Sequence, residues 1–224
     1  MNTFEISGGK KLEGEITPQG AKNECLQILC AVLLTDELIT IKNIPNIIDV
    51  NVLISLLKNL GVNIVKNSFG CYSFKANKVN MDFLMSEDYI NESKKIRGSI
   101  MMVGPLLSRF GSAGIPRPGG DKIGRRSLDT HFHGLSELGG QFKYNKKKNF
   151  YFIEASILKG KKIILNEPSV TGTANLIMAS VLASGKTIIY NAACEPYLQQ
   201  LCKMLNLMGA KISGIGSNML KIKG

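Results

Sequence analysis

A chain of 224 residues, 44% hydrophobic and 20% charged, is long enough to bury a proper core and too apolar to remain disordered. Its longest apolar run, residues 28–34, falls far short of the ~20 residues a membrane-spanning helix needs, and the start MNTFEISGGKK lacks the apolar core of a signal peptide, so a soluble cytoplasmic protein is expected. A net charge of +11 calls for an anionic partner, without choosing between nucleic acid, an anionic membrane and a phosphorylated metabolite.

In chain order, Gly-Ala-Lys-Asn at 20–23 leads into an apolar helix over 23–34, then a short strand and a connector holding Asn43. An amphipathic helix over 50–60 ends at Gly61, a glycine suited to the left-handed position after a helix. SKKIRGS at 93–99 opens a second apolar helix over 95–107. Residues 109–126, RFGSAGIPRPGGDKIGRR, follow, with five glycines and clustered cations around one carboxylate, Asp121. Alone, that stretch fits either a solvated basic loop or a lid over a phosphate-bearing ligand. A second amphipathic helix covers 129–138 before Gly139, and the lysines at 146–148, between turn-forming asparagines, belong to a solvated hairpin. PSVTGT at 168–173 opens a third apolar helix over 173–182, and a last amphipathic helix spans 197–208 before Gly209. Gly185-Lys186-Thr187 imitates the end of a P-loop, but Ser180 stands where the first glycine is required and the segment runs from helix into strand; it reads as a turn.

These elements repeat. Asn43 precedes Gly61 by eighteen residues, as Asn191 precedes Gly209. Four and eight residues before each glycine stand Leu57 and Leu53, then Leu205 and Leu201, one apolar stripe on each helix. A looser middle copy has Leu135 four before Gly139, with His131 in the eight-back place. Three βαβ-type units of roughly 60–70 residues make one α/β domain. The segments before the three apolar helices are helix N-termini, whose unpaired N–H groups and dipole attract anions, and Lys22, Arg97 and the hydroxyls of Ser169, Thr171 and Thr173 lie there. Three such ends in equivalent positions, with a basic lid, favour one shared phosphate-binding centre. The five cysteines are odd in number and form no CxxC pair, so neither a disulfide framework nor a metal site is indicated.

GAKN at 20–23, IRGSIMMVGPLLSRFG at 96–111, PGGDKIGRRSLDTH at 118–131 and SVTGTANLIMASVLASG at 169–185 resemble the UDP-N-acetylglucosamine enolpyruvyl transferases over essentially the whole chain. The resemblance implies an inside-out α/β barrel domain that needs no cofactor. The implied reaction moves the enolpyruvyl group of phosphoenolpyruvate onto the 3′-hydroxyl of the sugar, the first committed step of peptidoglycan synthesis. By the same resemblance, Lys22 and Asn23 lie where phosphoenolpyruvate meets the sugar, and Arg97 contacts the nucleotide sugar. Arg126, Ser127, Leu128, Asp129 and Thr130, with Glu167, Pro168, Ser169 and Val170, surround the uridine and diphosphate. Asp121 takes the lid position that protonates the methylene carbon of phosphoenolpyruvate.

The resemblance also marks two departures. The lid residue is most often cysteine in this family, and aspartate there implies indifference to alkylation by fosfomycin. Lys122, Arg125 and Arg126 are expected to lower the pKa of Asp121 whereas a general acid must hold its proton, and closure over a doubly charged phosphate would raise it again. The family has two similar domains, and this chain is expected to cover the first, residues 19–224, with residues 1–18 adding a strand to a second domain. That second domain carries the presumed base and the arginines that clamp the carboxylate, so the first domain alone is expected to be inactive. The alternatives are a non-catalytic half-protein that holds a nucleotide sugar and, more distantly, a nucleic-acid-binding module; the resemblance implies neither nucleic acid nor membrane as a partner.

Overall fold

The computed structural model describes residues 3–116, 127–147 and 150–224. Residues 3–20 carry no secondary structure and leave Phe4, Ile6, Leu12 and Ile16 exposed. The first repeat contains α1 (Lys22–Ala31), continued by a 3-10 turn over Val32–Leu34, then β1 (Ile39–Ile41), α2 (Ile48–Asn59), β2 (Asn63–Ser68) and β3 (Cys71–Lys75). The middle repeat begins with a short α3 (Glu87–Ser93) and a 3-10 segment, Arg97–Met102, that runs into α4 (Val103–Phe110). It continues through β4 (Ser112–Pro116), α5 (Asp129–Glu137), β5 (Gln141–Asn145) and β6 (Phe150–Glu154). The third holds β7 (Lys162–Ile164), α6 (Val170–Ser180), β8 (Lys186–Tyr190), α7 (Pro196–Leu207), β9 (Lys211–Ser213) and β10 (Met219–Lys223).

All six expected helices form within about a turn of their expected bounds. The helix α3 was not foreseen, because seven residues capped by Ser86, whose hydroxyl accepts from the Tyr89 N–H, are too short to show a period. The first unit carries one strand more than a βαβ unit and the third two more, while in the middle unit β5 and β6 flank the hairpin expected at 146–148. The sheet orders are β1-β3-β2, β4-β6-β5 and β7-β8-β10-β9. In the first two units the first two strands run parallel, as in a βαβ crossover, and the third lies between them, antiparallel to both; in the third unit β10 lies in the same way between β8 and β9, and β7 adds on the outside, parallel to β8. That hairpin return lets each sheet stand on the outside with one face in water: in β10, Leu220 and Ile222 are buried while Lys221 and Lys223 are exposed.

Helices fill the centre. Every residue of α6 from Gly172 to Ser180 is buried, and α6 packs on α4, α5 and α7. Gly104 of α4 meets it so closely that a Cβ there would lie 2.4 Å from the Asn175 carbonyl oxygen. The leucine stripes read from the repeat are interior, with Leu53, Leu57, Leu135, Leu201 and Leu205 all buried. Gly61, Gly139 and Gly209 close the outer helices with φ of 99, 109 and 105°.

The basic stretch 109–126 is described as far as residue 116, and that part is built into the fold. Arg109 belongs to α4, Gly111 caps it in the left-handed conformation, and 112–116 form β4. Arg109 is structural: its guanidinium donates to the carbonyls of Leu33, Thr35 and Ala76 at 2.8–2.9 Å, tying two repeats together. The lysine run falls in the β5–β6 connection, with Lys146 and Lys147 in a turn and Lys148 outside the described residues. Gly185 is the turn (φ 91°) from which Lys186 and Thr187 open β8.

Candidate functional site

The entrances of the central helices open onto one cleft. A cavity of about 340 Å³ is lined by Lys22 and Asn23 at the start of α1, by Arg97 and Gly98 of the 3-10 segment, and by Val170 and Thr171 at the start of α6. A neighbouring hollow of about 460 Å³ is lined by Ser127, Asp129, Glu167 and Ser169 and shares Arg97, Val170 and Thr171 with the first. The two are parts of one depression.

Of the residues named from sequence, Lys22, Asn23, Arg97, Ser127, Asp129, Glu167, Ser169 and Val170 line this cleft. Thr130 is buried just behind it, its hydroxyl 3.4 Å from Glu167 Oε1. Leu128, half-buried and packed on the core, and the exposed Pro168 are not among the lining residues. Asp121 and Arg126, with Lys122 and Arg125, lie outside the described residues. Thr173 departs from expectation. Its hydroxyl is fully buried and accepts from the Ala193 N–H at 3.1 Å, so it braces α6 against the chain after β8 and offers nothing to a ligand.

Local chemistry holds these groups in place. Ser169 caps α6 by accepting from the Gly172 N–H at 3.3 Å, which leaves the N–H groups of Val170 and Thr171, two residues that line the cleft, outside the helix's own hydrogen bonds. Ser127 Oγ accepts from the Asp129 N–H at 3.0 Å and its carbonyl lies 3.5 Å from an Arg97 guanidinium nitrogen, joining the entry of α5 to the wall opposite. Lys22 Nζ forms an ion pair with Asp49 at 2.9 Å, both half-exposed. Asp49 and Tyr197 both line the cleft and were missed from sequence, although a signal existed: each lies six residues after the repeated asparagine, Asn43 or Asn191, in the first turn of its outer helix. Gln27 on the floor is also lining and buried, its Oε1 without a partner among the described residues.

The electrostatics are two-sided. Lys22, Lys95, Arg97 and the helix N-termini offer donors and positive charge, while Asp129 and Glu167 offer only acceptors. A bare polyanion does not suit that division. A ligand with phosphates at one place and hydroxyl or ring N–H donors at another does. Behind the cleft, His131 is buried, and desolvation together with the Arg97 charge pushes its pKa down to about 4, so the ring is neutral. Among the described residues no three His, Cys, Asp or Glu gather to hold a metal, and no helix is long and apolar enough to cross a membrane.

Central helices, three outer sheets of repeated order and a cleft at the helix entrances define an enolpyruvyl-transferase fold. The enolpyruvyl transferase NikO from Streptomyces tendae has a similar structure, with a TM-score of 0.78 at 17% identity over 97% of this chain and 50% of its own. An EPSP synthase from Acinetobacter baumannii matches with a TM-score of 0.71 at 16% identity, over 97% of this chain and 49% of its own. Residues 6–224 match the family model of EPSP synthase (3-phosphoshikimate 1-carboxyvinyltransferase), and the chain belongs to that family. Within it, a UDP-N-acetylglucosamine 1-carboxyvinyltransferase of Bacteroides fragilis is 59% identical over all 224 residues, which make up 52% of its length. One from Borreliella burgdorferi is 46% identical over the same span, 51% of its length. The chain thus spans about half the length of the curated relatives it matches.

Proposed function

We propose that this chain supplies the nucleotide-sugar side of an active site that transfers the enolpyruvyl group of phosphoenolpyruvate to the 3′-hydroxyl of UDP-N-acetylglucosamine in the cytoplasm, the entry to peptidoglycan and so to cell shape and division. The observation that carries this reading is the two-sided cleft, with donors at the entrances of three helices and acceptors at Asp129 and Glu167, as a diphosphate joined to a nucleoside and a sugar requires. The names of relatives at 46–59% identity point to the same substrate.

In this reading residues 19–224 are one domain, and a second, corresponding to the rest of the relatives' length, closes over the cleft. The exposed apolar residues of 3–18, Phe4, Ile6, Leu12 and Ile16, then find their cover as a strand of that second domain. Lys22 and Asn23 hold the junction of the two substrates, and Arg97, residues 126–130 and residues 167–170 hold the nucleotide sugar. Asp121 delivers the proton to the methylene carbon of phosphoenolpyruvate. Aspartate has no thiolate to open an epoxide, so the enzyme resists fosfomycin. Half of such a site, open to water, lacks the orientation and enclosure that make its charges effective, so the 224-residue chain binds without turning over.

The test is phosphate release from phosphoenolpyruvate in the presence of UDP-N-acetylglucosamine, with calorimetry of sugar-nucleotide binding alongside. The chain alone is expected to bind and stay silent, and to become active when fused to the C-terminal half of a relative. In that fusion Asp121→Asn should lose about 10²–10⁴-fold in turnover while Asp121→Cys stays active and becomes fosfomycin-sensitive. Full activity of Asp121→Asn removes Asp121 from the mechanism, and a fusion that binds but never turns over leaves a nucleotide-sugar-binding protein.

A further inference from the structure

His131 has no part in the reading above, yet it stands where the other repeats place the core leucines Leu53 and Leu201, and it is only 2% exposed. Its neighbours decide where each proton resides. Asn175 Oδ1 accepts from the Gly104 N–H at 2.8 Å, and Asn175 Nδ2 donates to the Ile100 carbonyl at 2.9 Å. A backbone N–H can only donate and a carbonyl can only accept, so these two contacts fix which end of the amide is which. The second hydrogen of Nδ2 faces His131 Nδ1 at 2.8 Å, and Nδ1 must therefore be the bare, accepting nitrogen. The buried ring is neutral, so its single proton is on Nε2, 3.0 Å from Thr171 Oγ1. The Thr171 oxygen accepts that proton. Its own hydrogen is directed elsewhere, no acceptor takes it among the described residues, and Thr171 lines the cleft beside Arg97 and Val170.

We propose that Asn175 and His131 are positioning residues that hold the Thr171 hydroxyl as a committed hydrogen-bond donor into the cleft, aimed at an accepting, anionic oxygen of the ligand's diphosphate. The identity of that ligand rests on the nucleotide-sugar reading of the cleft; the proton arrangement does not. A threonine on a helix can ordinarily return its hydrogen to a carbonyl one turn back, and then it presents only lone pairs to a ligand. The chain from Gly104 through Asn175 and His131 fills one of the three hydrogen-bonding directions of this hydroxyl, which narrows where its hydrogen can point before the ligand arrives.

Two measurements test the two halves. The chain has two histidines, and a His133→Asn variant assigns the remaining signals to His131. Long-range ¹H–¹⁵N correlation at neutral pH should show the neutral tautomer protonated on Nε2; a ring protonated on Nδ1, or a charged ring, overturns the proposal. Calorimetry with UDP-N-acetylglucosamine should then give Thr171→Ser within about threefold of the parent and Thr171→Val about tenfold weaker, the split expected for one lost hydrogen bond to a charged acceptor. A valine variant that folds and binds as tightly as the parent overturns the donor role. If the parent itself shows no affinity for the nucleotide sugar, the reading of the cleft fails and takes the ligand half with it, while the tautomer measurement still decides the arrangement of protons.

Discussion

In the first and third repeats the strand is joined to the outer helix by residues 42–47 and 191–195; in the middle repeat the join runs from 117 to 128, about twice as long. The short joins pivot on Asn43 and Asn191, both left-handed at φ of 59 and 56°. The long join carries Asp121, Arg126, Ser127 and the basic residues between them, and the helix it leads to has His131 where the others have leucine. Where the copies agree, the residues build scaffold: apolar stripe, left-handed pivot, closing glycine. Where the middle copy departs, the described residues serve the cleft: Ser127 lines it and His131 stands directly behind it. The departures from an internal repeat are therefore a guide to function that needs no relatives.

The comparison breaks first if the leucine sites and the histidine site prove interchangeable. Leu53→Ala and Leu201→Ala should each cost about 2–5 kcal/mol of stability in urea unfolding, as deletions of fully buried leucines do. Leu201→His should cost at least as much, because no amide stands ready to satisfy the ring there. His131→Leu should cost less, about 1–3 kcal/mol, the penalty of leaving an Asn175 donor unpaired. A Leu201→His chain as stable as the parent would show that the core does not distinguish the two kinds of site.

The same histidine makes the second difference measurable by pH alone. Its pKa is about 4 when folded against an ordinary 6.5, because burial, with Arg97 adding its charge, disfavours the cation. The unfolded chain therefore takes up the proton first as pH falls. The contribution is present above pH 6.5 and lost progressively down to pH 4, about 3 kcal/mol in all. Arg97 keeps its charge throughout that window and Thr171 and Asn175 do not titrate, so the change belongs to His131. Parent and His131→Leu should show converging stabilities between pH 7 and 4.5, and parallel curves would mean that the ring takes up its proton in the fold as readily as in the unfolded chain.

Much of this was readable in the sequence because the repeat is written in residue types with one physical meaning each. Leucines four and eight before a glycine can only be a buried helix face closed by a left-handed cap, and that placed α2, α5 and α7 to within a turn. The strands β3 and β10 are not separable in the sequence from their neighbours, since short runs such as Cys71–Lys75 and Asn63–Ser68 alternate too weakly to show where one strand stops; only the β5–β6 turn is marked, by its lysine run. At the cleft, the entrances of α1 and α6 were legible from GAKN and PSVTGT. The Lys22–Asp49 pair and the His131–Thr171 contact join residues 27 and 40 positions apart, and nothing local in the chain announces them. Thr173 was misassigned for the same reason: four residues past the cap, a threonine points inward or outward according to packing that the sequence does not display.

The smallest expected effect separates the two repeats that look most alike. Asn43 and Asn191 share a left-handed backbone, which costs about 1–2 kcal/mol for a residue that lacks both glycine's freedom and a short polar side chain. Asn43→Ala and Asn191→Ala should both lose about that much. Glycine removes the strain, so the two glycine variants should part company: Asn191 Nδ2 also donates to the Leu165 carbonyl at 3.0 Å, and Asn191→Gly gives up that bond. Asn191→Gly should therefore be less stable than Asn43→Gly by about 0.5–1.5 kcal/mol, read from thermal midpoints of the two chains side by side. Leu165 lies two residues before Glu167, so this bond also anchors the segment that leads into the cleft, which ties even the most scaffold-like part of the third repeat to the ligand side. Equal stabilities of the two glycine variants would mean that the bond adds nothing and that the first and third repeats are equivalent in energy as well as in shape.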